Sequence, residues 1–333
     1  MQPTSNKLET VADEIWGGMK IHVVMPSYKV ERHILDVLPR IGKEVERIWV
    51  VDDCCPNGSG KLVASKVKDK RVSVIYNEVN LGVGGATVAG YSAALAAGAD
   101  VIVKIDGDGQ MYPEDIGTLV KPIVKGTADY AKGNRFDSVD DLRKMPRIRL
   151  LGNAALSLMS KVSSGYWGVN DPTNGFTAIH KSALERIDLA KLSKRYFFES
   201  DMLFRLNLAG AVVQDVSIPA RYGNEESNLR ISKVIVEFPV KHVKNYIKRV
   251  GYRYYLREWS LGSIQLISGA LLTIVGASFG ISSFLSAVAR QQATTAGQVT
   301  FASLAIILGF QLLLSFVSYD IQSEPRNPIQ GRY

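Results

Sequence analysis

The stretch Asp100–Asp115, DVIVKIDGDGQMYPED, sets an apolar run directly before a cluster of carboxylates and glycines. Residues 100–105 read as a buried strand, after which the chain turns through Asp106-Gly107-Asp108. The same grammar recurs upstream. IHVVM (21–25) is an apolar run ending at Pro26, ERIWVV (46–51) runs into Asp52-Asp53, and Val72–Tyr76 is a further short strand. Helical spacing over Glu31–Leu38, Gly60–Val67 and the Ala-rich Gly84–Ala97 supplies the connections. Strands separated by helices of this size predict an α/β fold with a mostly parallel sheet and right-handed crossovers. Ligands of such sheets bind beyond the carboxyl ends of the strands. The polar clusters after Met25, Val51 and Ile105 are therefore expected along one edge.

That edge is acidic. Asp52, Asp53, Asp106 and Asp108 are expected to converge on it, and Asp106 and Asp108, two apart in extended chain, point to one side. Like charges held close oppose each other's ionisation unless a cation lies between them. A hard divalent ion with oxygen ligands, Mg2+ or Mn2+, answers this and commonly binds substrate phosphates too. Turn chemistry is the alternative reading of Asp-Gly-Asp-Gly. A dinucleotide site is disfavoured: Leu81-Gly82-Val83-Gly84-Gly85-Ala86 is followed by Thr87 at the third fingerprint position and does not lie at the first strand–helix turn. Gly82 and Gly85 instead read as a tight helix start beside a nucleotide.

With 46% hydrophobic and 22% charged residues, the chain is not a disordered one. Forty Lys and Arg against 32 Asp and Glu give a net charge of +8, and the apolar residues say which anionic partner this serves. No charge occurs from Ser260 to Ala289, nor in a second run ending at Tyr319, and the connection between them carries only Arg290. About 20 apolar residues span a bilayer core. A buried hairpin of a soluble domain is the other reading, but the flanks favour a membrane. Arg230, Lys233, Lys241, Lys244, Lys248, Arg249, Arg253 and Arg257 precede the first run, with Tyr252, Tyr254, Tyr255 and Trp259 at its threshold. Positive-inside bias puts the large N-terminal part and both termini in the cytoplasm, on a multi-pass cell-membrane protein of two spans. Met1–Gly18 is polar and carries no apolar leader. Residues 231–256 read as one or two basic amphipathic helices on the headgroups, broken near Pro239. Nucleic acid is not expected as a partner. Cys54 and Cys55 are adjacent with no third cysteine, so neither a cross-fold disulfide nor a zinc site is expected.

The ordered set VVMPSYKVE (23–31), VVDDCCPNGSG (50–60), NLGVGGATVAGYSAA (80–94) and IDGDGQMYPED (105–115) resembles family 2 glycosyltransferases of the GT-A fold. KGNRF (132–136), DPTNGFTAIHKSAL (171–184), FFESDML (197–203) and RYGNEESNLR (221–230) continue the series. The appended basic segment and two spans are similar to the polyprenyl-phosphate branch, with dolichyl-phosphate mannose synthases and bactoprenol glucosyltransferases. The resemblance implies an N-terminal extension (1–20) and a Rossmann-like GT-A domain (21–230). Basic juxtamembrane helices (231–258), a transmembrane hairpin (259–320) and a tail (321–333) would follow. It implies a nucleotide-sugar donor held by Pro26, Tyr28, Asp53 and Asp106, with Glu31 one position beyond the usual base-reading glutamate. Asp106 and Asp108 match the Asp-x-Asp pair, and Gln110 would join Asp108 on the metal. Asp171, Gly175 and Phe176 would border the sugar, and Arg135, Arg147, Arg149 and Arg221 a polyprenyl phosphate.

A polyprenyl phosphate acceptor is already ionised and needs positioning more than a base, and direct displacement would invert the anomeric carbon. The alternative acceptor, a hydroxyl of a lipid-linked glycan, must lose a proton, with Asp171, Glu199 and Asp201 as candidate bases. A non-catalytic nucleotide-sugar-binding membrane protein is the remaining class, disfavoured because the Asp pair is intact. Dimers or tetramers through the Gly- and Ser-rich spans stay open.

Overall fold

A computed structural model describes residues 16–136, 147–219 and 231–331, with the side chains of residues 147–151 and 231–236 outside that description. The chain forms two compact units: Met1–Tyr246 with Pro325–Tyr333, and Ile247–Glu324. The first is built on a seven-stranded sheet, with β1 Ile21–Ser27, β2 Val45–Asp52, β3 Val72–Tyr76, β4 Val101–Lys104, β5 Tyr130–Asn134, β6 Thr177–His180 and β7 Val213–Ser217. Its order is β3-β2-β1-β4-β6-β5-β7, and only β6 runs against its neighbours. The carboxyl ends of β1, β2, β4, β5 and β7 and the amino end of β6 thus share one edge. The central strands are buried on both faces, which is why they read as continuous apolar runs.

The described connections are α1 Ser59–Lys66, α2 Val83–Ala96, α3 Ile116–Val124, α4 Arg147–Ser164 and α5 Phe198–Ala209. Gly90 lets α2 lie close on the sheet, since a Cβ there would stand 2.3 Å from a Val24 methyl. The helix expected over Glu31–Leu38 is reduced to one turn, Ile34–Val37, running into a 3-10 turn at Leu38–Arg40. Pro39 has no N–H with which to extend an α-helical ladder.

The basic segment is one helix, α6 Ile231–Gly251, unbroken at Pro239. Packing on both sides of the proline keeps it continuous. Phe238 and His242 sit edge-on to Phe197 at 5.3 and 4.9 Å, and His242 Nδ1 pairs with Ser163 Oγ at 2.7 Å. Each such aromatic contact is worth about 0.5–1.5 kcal/mol, enough together to offset much of the lost hydrogen bond. The same burial pushes the His242 imidazole down to about 4. At the other end of the chain Ile329 is fully buried in this unit, and the Asp129 carboxylate accepts the backbone N–H groups of Ile329 and Gln330.

The second unit holds a six-residue π-helical stretch, Tyr252–Arg257, then α7 Leu261–Ala289 and α8 Ala296–Gln322, both long and apolar enough to cross a membrane. They meet through small residues. A Cβ on Gly309 would lie 2.4 Å from Thr273 Oγ1, and one on Gly276 2.9 Å from Ala305 Cβ. The second of these helices extends past the uncharged run to include Asp320. Its carboxylate accepts both Arg249 Nη1 (2.7 Å) and Nη2 (2.8 Å) and the Tyr254 hydroxyl (2.7 Å), all buried.

Gly309→Leu is expected to force α7 and α8 apart and destabilise the detergent-solubilised protein by about 1–3 kcal/mol, read as a lower unfolding midpoint. His242 titrates near 6.5 unfolded but lower when folded, so the unfolded chain binds the extra proton. Stability is full above pH 6.5 and lost towards pH 4, by up to about 3 kcal/mol from this group. Unfolding midpoints against pH should fall less steeply for His242→Leu than for wild type. Parallel curves would contradict this.

Candidate active site

The sheet edge is assembled from five strand ends. From β4 come Asp106 and Asp108, joined by the turn in which Gly109 adopts φ +82° and Asp108 Oδ1 accepts the Gln110 N–H at 3.0 Å. Asp106 Oδ1 accepts Lys104 Nζ at 2.8 Å. Beyond β5, Arg135 is gripped by the fully buried Asp171, with Nε to Oδ2 at 2.8 Å and Nη2 to Oδ1 at 3.2 Å. Leading into β6, Gly175 approaches so closely that a Cβ would lie 2.6 Å from Lys104 Nζ and 2.7 Å from Asp106 Oδ2. Phe176, next to it, is core.

At the end of β1 the buried Pro26 precedes the exposed Tyr28, and Lys29 takes φ +59° with its ammonium 5.4 Å above the Tyr28 ring. This turn is tied to the loop after β2. The Lys29 N–H donates to Cys55 Sγ, which donates to Glu31 Oε1 at 3.1 Å. Burial alone would raise the Glu31 carboxyl, but the Cys55 thiol that donates to it and the polar groups around it hold it below the usual range.

The four carboxylates expected to converge divide into two pairs by their partners. Asp52 is spent on the start of α1, accepting the Cys55 and Gly60 N–H groups at 2.7 and 2.6 Å. Asp53 is spent on the start of α2: Oδ1 accepts Asn77 Nδ2 and the Leu81 N–H, and Oδ2 the Gly82 N–H at 2.7 Å. An N-terminal turn attracts an anion because its amides lack helical partners, and here a side chain fills that place. Asp53 therefore shapes the loop that leads into α2, its carboxylate already engaged. The tight start expected at Gly82 and Gly85 is present, but its close neighbour is protein. Gly82 has φ +83° and lies against the Lys194 carbonyl, and the Gly85 N–H donates to that carbonyl.

Asp201 is likewise occupied. Its Oδ2 accepts the Ser193 N–H and Arg205 Nε, and its Oδ1 accepts Asn245 Nδ2. These contacts commit the carboxylate of this candidate base to three protein donors. Glu199, in the first turn of α5, lies with Oε1 3.5 Å from Lys104 Nζ. Arg147 and Arg149 fall on α4, with side chains outside the description, and Arg221 and the loops 137–144 and 222–230 lie outside the described residues.

Sequence reading missed the cations beneath this edge. In-register pairing places Lys104 of β4, Thr177 of β6, Lys132 of β5 and Asp215 of β7 side by side on one face of the sheet. Both lysines are fully buried. Burial opposes the Lys104 charge, but Asp106 and Glu199 outweigh it and raise its pKa. Lys132, whose Nζ donates to the Asn174 carbonyl, is pushed by burial down to about 8 against the pull of Glu199 and Asp171. Burial pushes Asp215 up to about 6. The available signal was a lone lysine inside each of two apolar strands, VIVK and YAKGN.

Among the described residues no three His, Cys, Asp or Glu side chains gather to hold a metal by themselves. Asp106, Asp108 and Gln110 nonetheless present oxygen donors, the set a hard divalent ion takes when phosphate and water complete its shell.

The family described as Glycosyl transferase family 2 matches residues 22–188. The UDP-N-acetylglucosamine–dolichyl-phosphate N-acetylglucosaminyltransferase of Methanococcus voltae is 29% identical over 234 residues, 66% of this chain and 92% of that one. Polyprenol monophosphomannose synthase of Mycolicibacterium smegmatis is 31% identical over 201 residues, 59% and 75% respectively. Among solved structures, glucosyl-3-phosphoglycerate synthase of Mycobacterium tuberculosis, in complex with Mn2+, UDP and glucosyl-3-phosphoglycerate, superposes with a TM-score of 0.52 at 17% identity. It covers 75% of this chain and 86% of its own. That likeness shows the GT-A fold.

Gly175→Ala is expected to destabilise by about 1–3 kcal/mol, because the new methyl meets the Lys104–Asp106 pair. Gly251, with open space around it and no positive φ, supplies the control. Gly251→Ala should be neutral or stabilising by up to about 1 kcal/mol. Thermal unfolding in detergent reads both.

Proposed function

This chain belongs to glycosyl transferase family 2, and on that premise we propose that it moves a sugar from a UDP- or GDP-sugar to a polyprenyl phosphate. The observation that carries the choice of acceptor is the state of the three candidate bases. Asp171 is ion-paired to Arg135, Asp201 is occupied by three donors, and Glu199 faces Lys104. Carboxylates committed to cations and amides are poor proton acceptors, which a hydroxyl acceptor requires. A phosphate acceptor requires a cation instead, and Arg135 is held ready by Asp171 with a third of its side chain exposed. Arginine suits phosphate through paired N–H contacts. The relatives named for dolichyl-phosphate and polyprenol phosphate transfer support the same reading.

Pro26, Tyr28 and Glu31 would take the nucleoside, with Asp53 shaping the adjoining loop, and Asp106 would face the diphosphate. Asp108 and Gln110 would hold the Mg2+ or Mn2+ ion, which when bound supplies positive charge against the departing diphosphate. A phosphate monoester has a second pKa near about 6, so the acceptor arrives ionised. Arg135 orients it for displacement at the anomeric carbon with inversion.

In this reading α7 and α8 cross the bilayer as a hairpin, with residues 21–230 as the transferase domain. Two features support a shared side for that domain and the tail: the two candidate spans among the described residues, and burial of Ile329 in the catalytic unit. The basic residues ahead of α7 support the cytoplasmic side. On α6 the exposed Val240, Val243 and Lys244 form a stripe suited to anionic headgroups.

The test uses detergent-purified protein with Mn2+ or Mg2+ and a panel of UDP- and GDP-sugars, following nucleotide release with and without a short polyprenyl phosphate. Release should require the lipid phosphate, stop with a chelator, and fall at least about 100-fold in Asp108→Ala. Arg135→Ala should raise the acceptor KM by about 10–100-fold while donor binding persists. Release that needs a lipid-linked glycan hydroxyl and ignores polyprenyl phosphate would defeat this reading.

A further inference from the structure

Lys104 is a full charge placed inside a strand whose other described side chains are apolar and buried. Its ammonium has three N–H donors and three partners around it: Asp106 Oδ1 at 2.8 Å, the Gly175 carbonyl at 3.3 Å and Glu199 Oε1 at 3.5 Å. Burying such a group is costly, and a pair of this kind is on average no more stabilising than packed apolar side chains of the same volume. Stability alone therefore does not account for the lysine. What it does locally is specific. It fixes Asp106 by one oxygen, while the rest of that side chain, about a quarter exposed, stays at the sheet edge (28%). Glu199 reaches the same ammonium from α5, a different layer of the fold, and its charge also acts on Lys132. Gly175 closes the arrangement by leaving no Cβ between Lys104 and Asp106.

We propose that Lys104 and Glu199 are positioning residues of the donor site: Lys104 holds Asp106 in the orientation that meets a nucleoside diphosphate and its divalent cation, and Glu199 holds Lys104. Glu199 thus acts as a counter-charge and takes no proton from the acceptor. Without Lys104, Asp106 and Glu199 would be two carboxylates facing each other across a low-dielectric gap, and Asp106 would swing away. Without Glu199, Lys104 would keep one anion and one carbonyl, and Asp106 would be held less firmly. The proposal rests on reading Asp106 and Asp108 as the donor site and is independent of which acceptor is used.

The test is binding of UDP, and separately GDP, with Mn2+ to the full chain in detergent, measured by calorimetry beside the unfolding midpoint and the transfer rate. Glu199→Gln, isosteric and able to fold on the same packing, should keep its unfolding midpoint within a few degrees. It should weaken Mn2+–nucleotide binding by about 3–10-fold. Lys104→Met should weaken it by about 10–100-fold, and the double variant should bind no worse than Lys104→Met, because both act through Asp106. Lys104→Arg, which keeps the charge, should recover part of the loss. Glu199→Gln that binds like wild type but has lost transfer would overturn the proposal and make Glu199 the base. Additive losses in the double variant would overturn it too. Should Lys104→Met fail to fold, Glu199→Gln decides alone. Wild-type protein that binds neither nucleotide would remove the donor reading as well, whereas normal wild-type binding indifferent to both substitutions would remove only this inference.

Discussion

A lysine ammonium buried under a row of carboxylates is the constraint on which the rest of the site depends. Carboxylates gathered at a sheet edge repel one another and cannot all be stabilised by solvent. Lys104 and Lys132 answer this from below, through the register of β4, β6 and β5, and Arg135 answers it from the side through Asp171. Asp106, Glu199 and Asp171 are thereby each matched to a cation whose position the fold dictates. The antiparallel insertion of β6 makes this possible, since it carries Gly175 and Thr177 between two parallel strands.

The same edge shows how a protein spends acidic residues in two ways. Asp52 and Asp53 face the amides that open α1 and α2, where a carboxylate satisfies donors that would otherwise be left unpaired. Asp106 and Asp108 stand on a turn whose glycine at φ +82° leads the chain away and leaves them at the rim. Identical chemistry in sequence, an acidic pair after an apolar strand, thus yields helix-start architecture in one case and carboxylates at the rim in the other. The next segment of chain makes the difference: helix amides after β2, a Gly-rich turn after β4.

Tertiary contacts also decide how the basic segment behaves. A proline in a helix interior usually costs about 3 kcal/mol, yet α6 continues through Pro239 because Phe238 and His242 are both fastened to Phe197. In the hairpin, Gly269, Gly276 and Gly309 let α7 and α8 touch backbone to backbone, replacing the hydrophobic drive that apolar surroundings would not supply. Arg249 and Asp320 satisfy each other at one end of that unit, where neither would be stable alone.

By itself the amino-acid sequence determined the alternation of strands and helices, the two apolar spans and the acidic turn after β4. It also carried enough ordered motifs to indicate the glycosyltransferase family. Those features are local: hydrophobic period, chain length and turn chemistry act within a few residues of one another. The partners of Asp53, Asp201, Asp171 and Glu199 were decided only by the tertiary structure. Each meets groups from distant parts of the chain, such as Gly82 for Asp53 and Asn245 for Asp201. Lys104 and Lys132 were visible as oddities in apolar strands, but nothing local says that β6 lies between them. A charge inside a strand has meaning only once the strand's neighbours are known, and strand order is set by packing across the whole domain.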